Sequence, residues 1–574
     1  MNRYLKYFFV SQPTYLVNVG RLVALVFFLG LGSFAKAQGD QGEIEKVEVV
    51  IEKDRKISLP QAVRNFDKVP PRPAEPIKPE ITYNFKNVNF TGSDYNPSIR
   101  PLKLKSETID KIYGNYISAG YGNYASPYLE GYVTNKRDKN KLYGAKLYHQ
   151  SYGSGPVEDK KSASGDTELK LFGKAMSRTV VVSGSASFEI RSAKFYGALP
   201  GLPISDGSNQ SYTITGLAGD ISNAKPTDFN YNLLAGVSYL KDDRSSNETV
   251  VSFGFNSNYK AGDDKLIKLV SDYYLMNRNA GDLSQTRHLF RVKPSYTFSP
   301  IENLTLQVGI NTAFQNDTLG TVKSVNIYPH VAAQYELNSI VKAFAVLTGD
   351  IDRVSLHSLS RENMWLDKGV AVNNTNRTFD FSGGLQGKSS GKVAFQIGIG
   401  LSNLNGLYSF ENEVFTGFNT TKFAERFKVS YTDTKRTNFF TEVGYSSTKA
   451  FKVLVRGDYF GYTSDRVWHR PTYKFNLVSS YNIVNKILLD ADIFVQGGMK
   501  ALALGAFDAG FGYAPPIITD IKPAIDLNLK VSYLFSDQFS VFIKGNNILN
   551  NQYQQYLYYP VRGLQVMAGL SWSF

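Results

Sequence analysis

Cysteine is missing altogether from the 574 residues, which removes disulfide frameworks, thiolate zinc sites, iron–sulfur ligation, thiol catalysis and a lipid-modified cysteine together. Long apolar runs are missing too: mean hydropathy is -0.25, which excludes a polytopic helical membrane protein. Tryptophan is scarce, at 3 residues, while 37 Tyr and 38 Phe bring the aromatic share to 14%, far from the composition of a disordered polyelectrolyte. The cationic surplus, 64 Lys and Arg against 50 Asp and Glu, is 14. Four of those cations (Arg3, Lys6, Arg21, Lys36) lie in the first 37 residues, which hold no acid. The remaining surplus of 64 - 4 - 50 = 10 is too diffuse to argue for nucleic acid, so none is expected as a partner.

Residues 1–37 read as a signal peptide. A basic front end is followed by the 11-residue apolar stretch Leu22–Gly32 and then Ala35-Lys36-Ala37, which places cleavage near Ala37. The competing reading, a membrane anchor, needs about 20 apolar residues. Residues 38–105 form an extended, proline-rich periplasmic arm: Lys46–Lys53 alternates like a short strand, then Pro60, Pro70, Pro71, Pro73, Pro76 and Pro79 break regular structure. The arm is either a solvated linker or a segment offered to a partner's sheet edge.

From 106 to 574 one pattern repeats, runs of about 10 to 12 residues alternating apolar and polar, as membrane-crossing strands require. At the C-terminus Leu564, Val566, Ala568, Leu570, Trp572 and Phe574 oppose Gln565, Met567, Gly569, Ser571 and Ser573. The expectation is an all-β, transmembrane antiparallel barrel, with 22 to 24 segments in sight and 22 favoured because bacterial barrels close on even numbers. Two stretches, 191–227 and 402–421, leave the count open by one strand. Short connections such as 536–538 and 484–486 alternate with long ones at 351–375, 497–523 and 548–562, the habit of tight periplasmic turns and longer external loops. A string of β-sandwiches or a propeller would also give many alternating strands, but lacks a reason for the export signal and for tyrosines clustered near strand ends.

In that reading the polar face lines the lumen and presents Lys452, Arg456, Asp458, Asp490, Asp492, Asp526, Lys530 and Lys544 to water or to whatever occupies the bore. No catalytic, cofactor or metal residues are assigned. The five histidines are far apart, and no G-x-S-x-G, phosphate loop or H-E-x-x-H is present.

Phe539–Tyr553, with Ile548-Leu549 in its turn, then Tyr558-Tyr-Pro-Val-Arg-Gly563 and the final strand with Trp572 and Phe574, resemble the C-terminal signature of TonB-dependent receptors. Tyr113–Glu130 resembles the first hairpin of such barrels from Bacteroidota-type organisms. The resemblance implies a 22-stranded outer-membrane barrel inserted by the barrel-assembly machinery, surrounded by lipid and partnered by TonB or other periplasmic or outer-membrane proteins. It places Glu48, Val49, Val50, Ile51 and Glu52 where the family carries its TonB box. It also implies a globular plug, for which residues 38–110 are too few. Two functions stay open: a receptor-like barrel admitting a solute through a lumen sealed by the arm or a partner, or a non-transporting scaffold in a larger assembly.

Overall fold

The computed structural model describes residues 113–574, apart from 137, 198–207, 318–322, 390, 413–424, 448–449, 504–506, 509–511 and 514. The leader, the arm and the TonB-box-like segment lie outside the described residues. The described residues form one closed sheet of 22 antiparallel strands, with three small two-stranded sheets in the connections. The first strand, Asn115–Gly122, pairs with the last, Gln565–Ser573, in the register Tyr116↔Ser573 to Gly122↔Met567. Phe574 completes the seam by exchanging two backbone hydrogen bonds with Asn115, at 3.1 and 3.0 Å. Closure gives every strand of the ring a hydrogen-bonded neighbour on both sides, which is the condition for sheet structure inside hydrocarbon.

Alternation along each strand sets which face meets lipid. In the last strand Val566, Ala568, Leu570 and Trp572 are exposed while Met567 and Ser571 are buried, an inside-out arrangement that a soluble sandwich would not tolerate. The same exposed apolar face carries Leu217, Phe253, Ile310, Phe439 and Ile543. Trp572 and Phe574 stack at 4.5 Å at the foot of the seam, where an aromatic girdle belongs.

Both uncertain stretches resolve simply. Among the described residues of 191–227 there is one further strand, Asn209–Asn223, and those of 402–421 end the strand Val393–Asn412. Several strands exceed the expected 10 to 12 residues, Phe427–Ser447 reaching 21, because they continue past the roughly 9–11 residues a bilayer requires. Connections at one end are short; 484–486 reverses the chain with Val484 and Asn485 both at positive φ. Connections at the other end include 353–374, 463–472, 498–523 and 547–564. The loop end of such barrels faces outward.

Candidate functional site

The 353–374 loop does not extend away from the barrel. It begins and ends on adjacent strands, Asp352 being the cross-strand partner of Thr375, yet its middle reaches both sides of the ring. A short helix, Leu356–Glu362, is capped by Ser355, whose hydroxyl accepts from the Ser358 N–H while the Ser358 hydroxyl accepts from the Ser355 N–H. Its first two N–H groups, those of Leu356 and His357, donate to Glu248 on the eighth strand at 3.0 and 3.3 Å, a carboxylate at a helix N-terminus.

On one side the segment is held by the fifth strand, Val180–Lys194. The Trp365 indole donates to Lys194 O at 3.0 Å, Arg191 donates to Ser360 O at 3.2 Å, and Arg361 pairs with Glu189. Opposite, the sixteenth strand, Phe427–Ser447, exchanges two backbone hydrogen bonds with it: Asp367 N to Phe427 O and Phe427 N to Trp365 O, both 2.9 Å. Strands five and sixteen stand eleven places apart in a ring of 22 and are therefore diametrically opposite. A segment bonded to both crosses the bore as a strap.

The strap is packed like the interior of a soluble domain. Leu356, Leu359, Leu366, Val370 and Val372 meet Tyr212, Ile214 and Leu240 from the wall, Phe410 and Phe427 from strands fifteen and sixteen, and Tyr556 and Tyr559 from the 547–564 loop. Trp365 lies 4.0 Å centroid to centroid from Tyr559 and 5.6 Å from Tyr196. Tyr556 donates its hydroxyl to Glu362 O at 2.6 Å, satisfying the polar end of a buried ring.

Two arginines from the wall tie the strap's ends. Arg287, 2% exposed, forms a buried ion pair with Asp317 at 2.7 Å and donates to Val354 O and to Asn374. Arg278, equally buried, donates to Val370 O. Removing one partner of such a buried pair is costly because the other charge is stranded, on the order of 3–5 kcal/mol.

The 463–472 loop adds His469, fully enclosed beside Phe427 and Tyr556. Leu557 N–H donates to its Nε2 at 3.2 Å, so the other nitrogen, Nδ1, carries the proton and donates to Phe410 O at 2.6 Å. Burial holds this imidazole down to about 4, well below its ordinary value. His357 in the strap is likewise lowered to about 4, by burial first and then by Arg361, Arg353 and Arg191.

Two cavities flank the strap at the mouth. One, of about 910 Å³, is lined by Asn326, Asn373, Asn376, Asn405, Tyr328 and Tyr431 among others. The other, of about 340 Å³, lies between Asp166, Arg191, Tyr196, Trp365, Asp526 and Arg562. Among the described residues no cluster of three or more potential metal ligands occurs.

The charges expected on the polar face are spread over strands seventeen (Phe451–Tyr462), nineteen (Ile487–Gly497), twenty (Ala524–Leu534) and twenty-one (Phe539–Asn546). Arg456 pairs with Asp458 at 2.9 Å and reaches Glu442 at 3.4 Å, while Lys452 stands exposed. Asp490, Lys530 and Lys544 form one cross-strand row, and Lys530 lies 5.1 Å from the Phe542 ring centroid. Asp492 is partnered across the strands by Asn528. Asp526 lines the smaller cavity, where Tyr553 donates to it at 3.0 Å. Of the residues that hold the strap from outside, Glu248, Arg278 and Arg287 were not singled out in the sequence, and His469 was among the five histidines given no role. The available signal was the composition of 354–372, too apolar for a solvated loop.

No family model matches the chain, and no curated protein matches it in sequence. Solved structures do match in shape. The pyoverdine outer membrane receptor FpvA from Pseudomonas aeruginosa PAO1 superposes with a TM-score of 0.60 at 11% identity, covering 82% of this chain and 79% of that one. The ferric-catecholate import receptor Fiu from Escherichia coli K12 gives 0.59 at 10%, covering 81% and 82%. The FrpB iron transporter from Neisseria meningitidis gives 0.58 at 12%, covering 81% and 83%. This chain has the 22-strand barrel fold of TonB-dependent receptors of the outer membrane.

Proposed function

We propose that the protein is a receptor-type outer-membrane barrel that admits a solute through its lumen, with its outer mouth held shut by its own loops. The observation that carries this reading is the strap bonded to strands five and sixteen across the bore. A ring of 22 strands encloses enough space to breach the membrane if left open, so some closure is required. Solute entry is then gated by displacement of the strap. The arm of residues 38–105 serves the periplasmic side, as a second seal or as the contact for TonB through Glu48–Glu52. Export uses cleavage near Ala37, and insertion uses the barrel-assembly machinery. The reading is non-enzymatic, in keeping with the receptor and transporter descriptions of the structural neighbours.

A second reading, a non-transporting scaffold of a larger assembly, is favoured by the density of the strap's packing, which resembles a permanent core more than a loose gate.

Planar-bilayer conductance separates the two. Because Asp352 and Thr375 are cross-strand partners, residues 356–372 can be replaced by a short Gly-Ser turn without straining the wall. The receptor reading expects a silent native protein and large conductance steps from the replacement. Free conductance in the native protein removes the strap as the seal. Silence in both identifies a bore filled elsewhere and supports the scaffold. Proline at Val49 and Ile51 should abolish crosslinking to TonB, and unaltered crosslinking removes the TonB-box assignment.

A further inference from the structure

The 340 Å³ cavity beside the strap is lined by a buried carboxylate, Asp526, and a half-buried guanidinium, Arg562, which are paired neither with each other nor with any other ionised group among the described residues. Asp526 opens the twentieth strand, Ala524–Leu534, and is 9% exposed. Its Oδ2 accepts the Tyr553 hydroxyl, but its Oδ1 has no hydrogen-bond partner. Arg562 comes from the 547–564 loop. Its donors go to neutral acceptors, Ser154 O and Ser162 O at 3.2 Å and Ser164 Oγ at 2.9 Å, and its guanidinium lies 4.1 Å from the Tyr152 ring centroid. The other two charges in the cavity's lining, Arg191 and Asp166, are joined to each other at 3.2 Å.

An uncompensated charge in a buried site is expensive, and proteins retain one mainly where something else supplies the partner. Here a carboxylate and a guanidinium border the same space, with Tyr196, Trp365 and Tyr553 as its aromatic walls. Aromatic faces favour a cation beside them and bury an apolar side chain well. We propose that this cavity binds a small zwitterion, a free α-amino acid, with its ammonium on Asp526 and its carboxylate on Arg562. The volume suits one such molecule and lies at the low end of small-ligand pockets. Trp365 and Met364 belong to the strap, so an occupied cavity bears directly on the element that closes the mouth. The site stands on the cavity alone and does not depend on whether the bore conducts.

The test is isothermal titration of the mature full-length protein in detergent with each of the twenty proteinogenic L-α-amino acids. The tightest binder is then compared with its N-acetyl derivative, which removes the cation, and its C-terminal amide, which removes the anion. The expected result is saturable binding of at least one free amino acid and a loss of about tenfold or more for each derivative, ~1.4 kcal/mol apiece. Asp526→Asn should produce the same loss while preserving shape. Arg562→Gln should weaken binding and Arg562→Lys should restore part of it, with heat-modifiable gel mobility confirming that each variant is a folded barrel. No binding of any amino acid at millimolar concentration overturns the proposal. So does equal affinity for the blocked derivatives, or an unchanged affinity in Asp526→Asn.

Discussion

The wall and the mouth of this barrel are held together by different physics. In the wall, stability comes from a closed backbone ladder, and the side chains facing outward remain exposed until lipid covers them, as with Leu570 and Ile543. At the mouth, chain segments without regular periodicity are buried by side-chain packing and by hydrogen bonds between residues far apart in the chain, Tyr556 and Glu362 being 194 positions apart. A substitution should therefore be read locally. Damage to the mouth should open the strap and leave the ring closed, whereas damage to the wall should affect insertion and leave the strap's own contacts in place.

The largest effect within the mouth is expected at Phe427, which is fully buried and touches His469, Tyr556 and Tyr559. Phe427→Ala should cost the strap about 3–5 kcal/mol of local stability. Limited proteolysis within 353–374 should accelerate sharply, while gel mobility of the unheated protein stays that of a closed barrel. Global loss of the barrel in this variant would break the division into two independent regions. In the wall, Leu570→Arg places a charge on the lipid face of the closing strand and should cost about 2–4 kcal/mol if the site lies near the bilayer centre. Urea unfolding in lipid vesicles reads this directly. An unchanged midpoint would remove Leu570 from the lipid-facing belt.

The same division explains what the sequence could reveal. The wall was legible because a two-residue period is written into each strand: the alternation from Leu564 to Phe574 matches the observed exposure residue for residue. The strand count was legible for the same reason, once even closure was required. The strap was not legible, since 353–374 carries no period and its burial is decided by residues such as Tyr212, Phe427 and Tyr559 that are distant in sequence. Arg456 and Asp458 were recognisable as neighbours on one face, being two positions apart on a strand. Asp526 was assigned to the polar face, but its meeting with Arg562 at one cavity depends on how the 547–564 loop folds inward, which alternation does not encode.

The effect that bears most finely on the comparison changes the mouth by acidity and leaves the wall untouched. His469 is neutral in the folded mouth, its Nε2 accepting from Leu557 N–H, and a second proton would have to break that bond. Its folded value is about 4, below the ordinary 6.5, so the released state binds the proton more readily than the packed one. The contribution to strap stability is therefore complete above about pH 6.5 and is lost progressively as pH falls toward 4, by up to roughly 3 kcal/mol. His357 shifts in the same direction and adds to the slope. Hydrogen exchange at 463–472 and 353–374 should quicken between pH 7 and pH 5 relative to its intrinsic rate, with the strand ladders unaffected. His469→Asn tests the assignment, because asparagine tolerates the left-handed backbone found at this position, φ 57°, and does not titrate. The variant should begin less protected at pH 7 and lose less on acidification; a slope equal to the native protein's would assign the pH response to His357 alone.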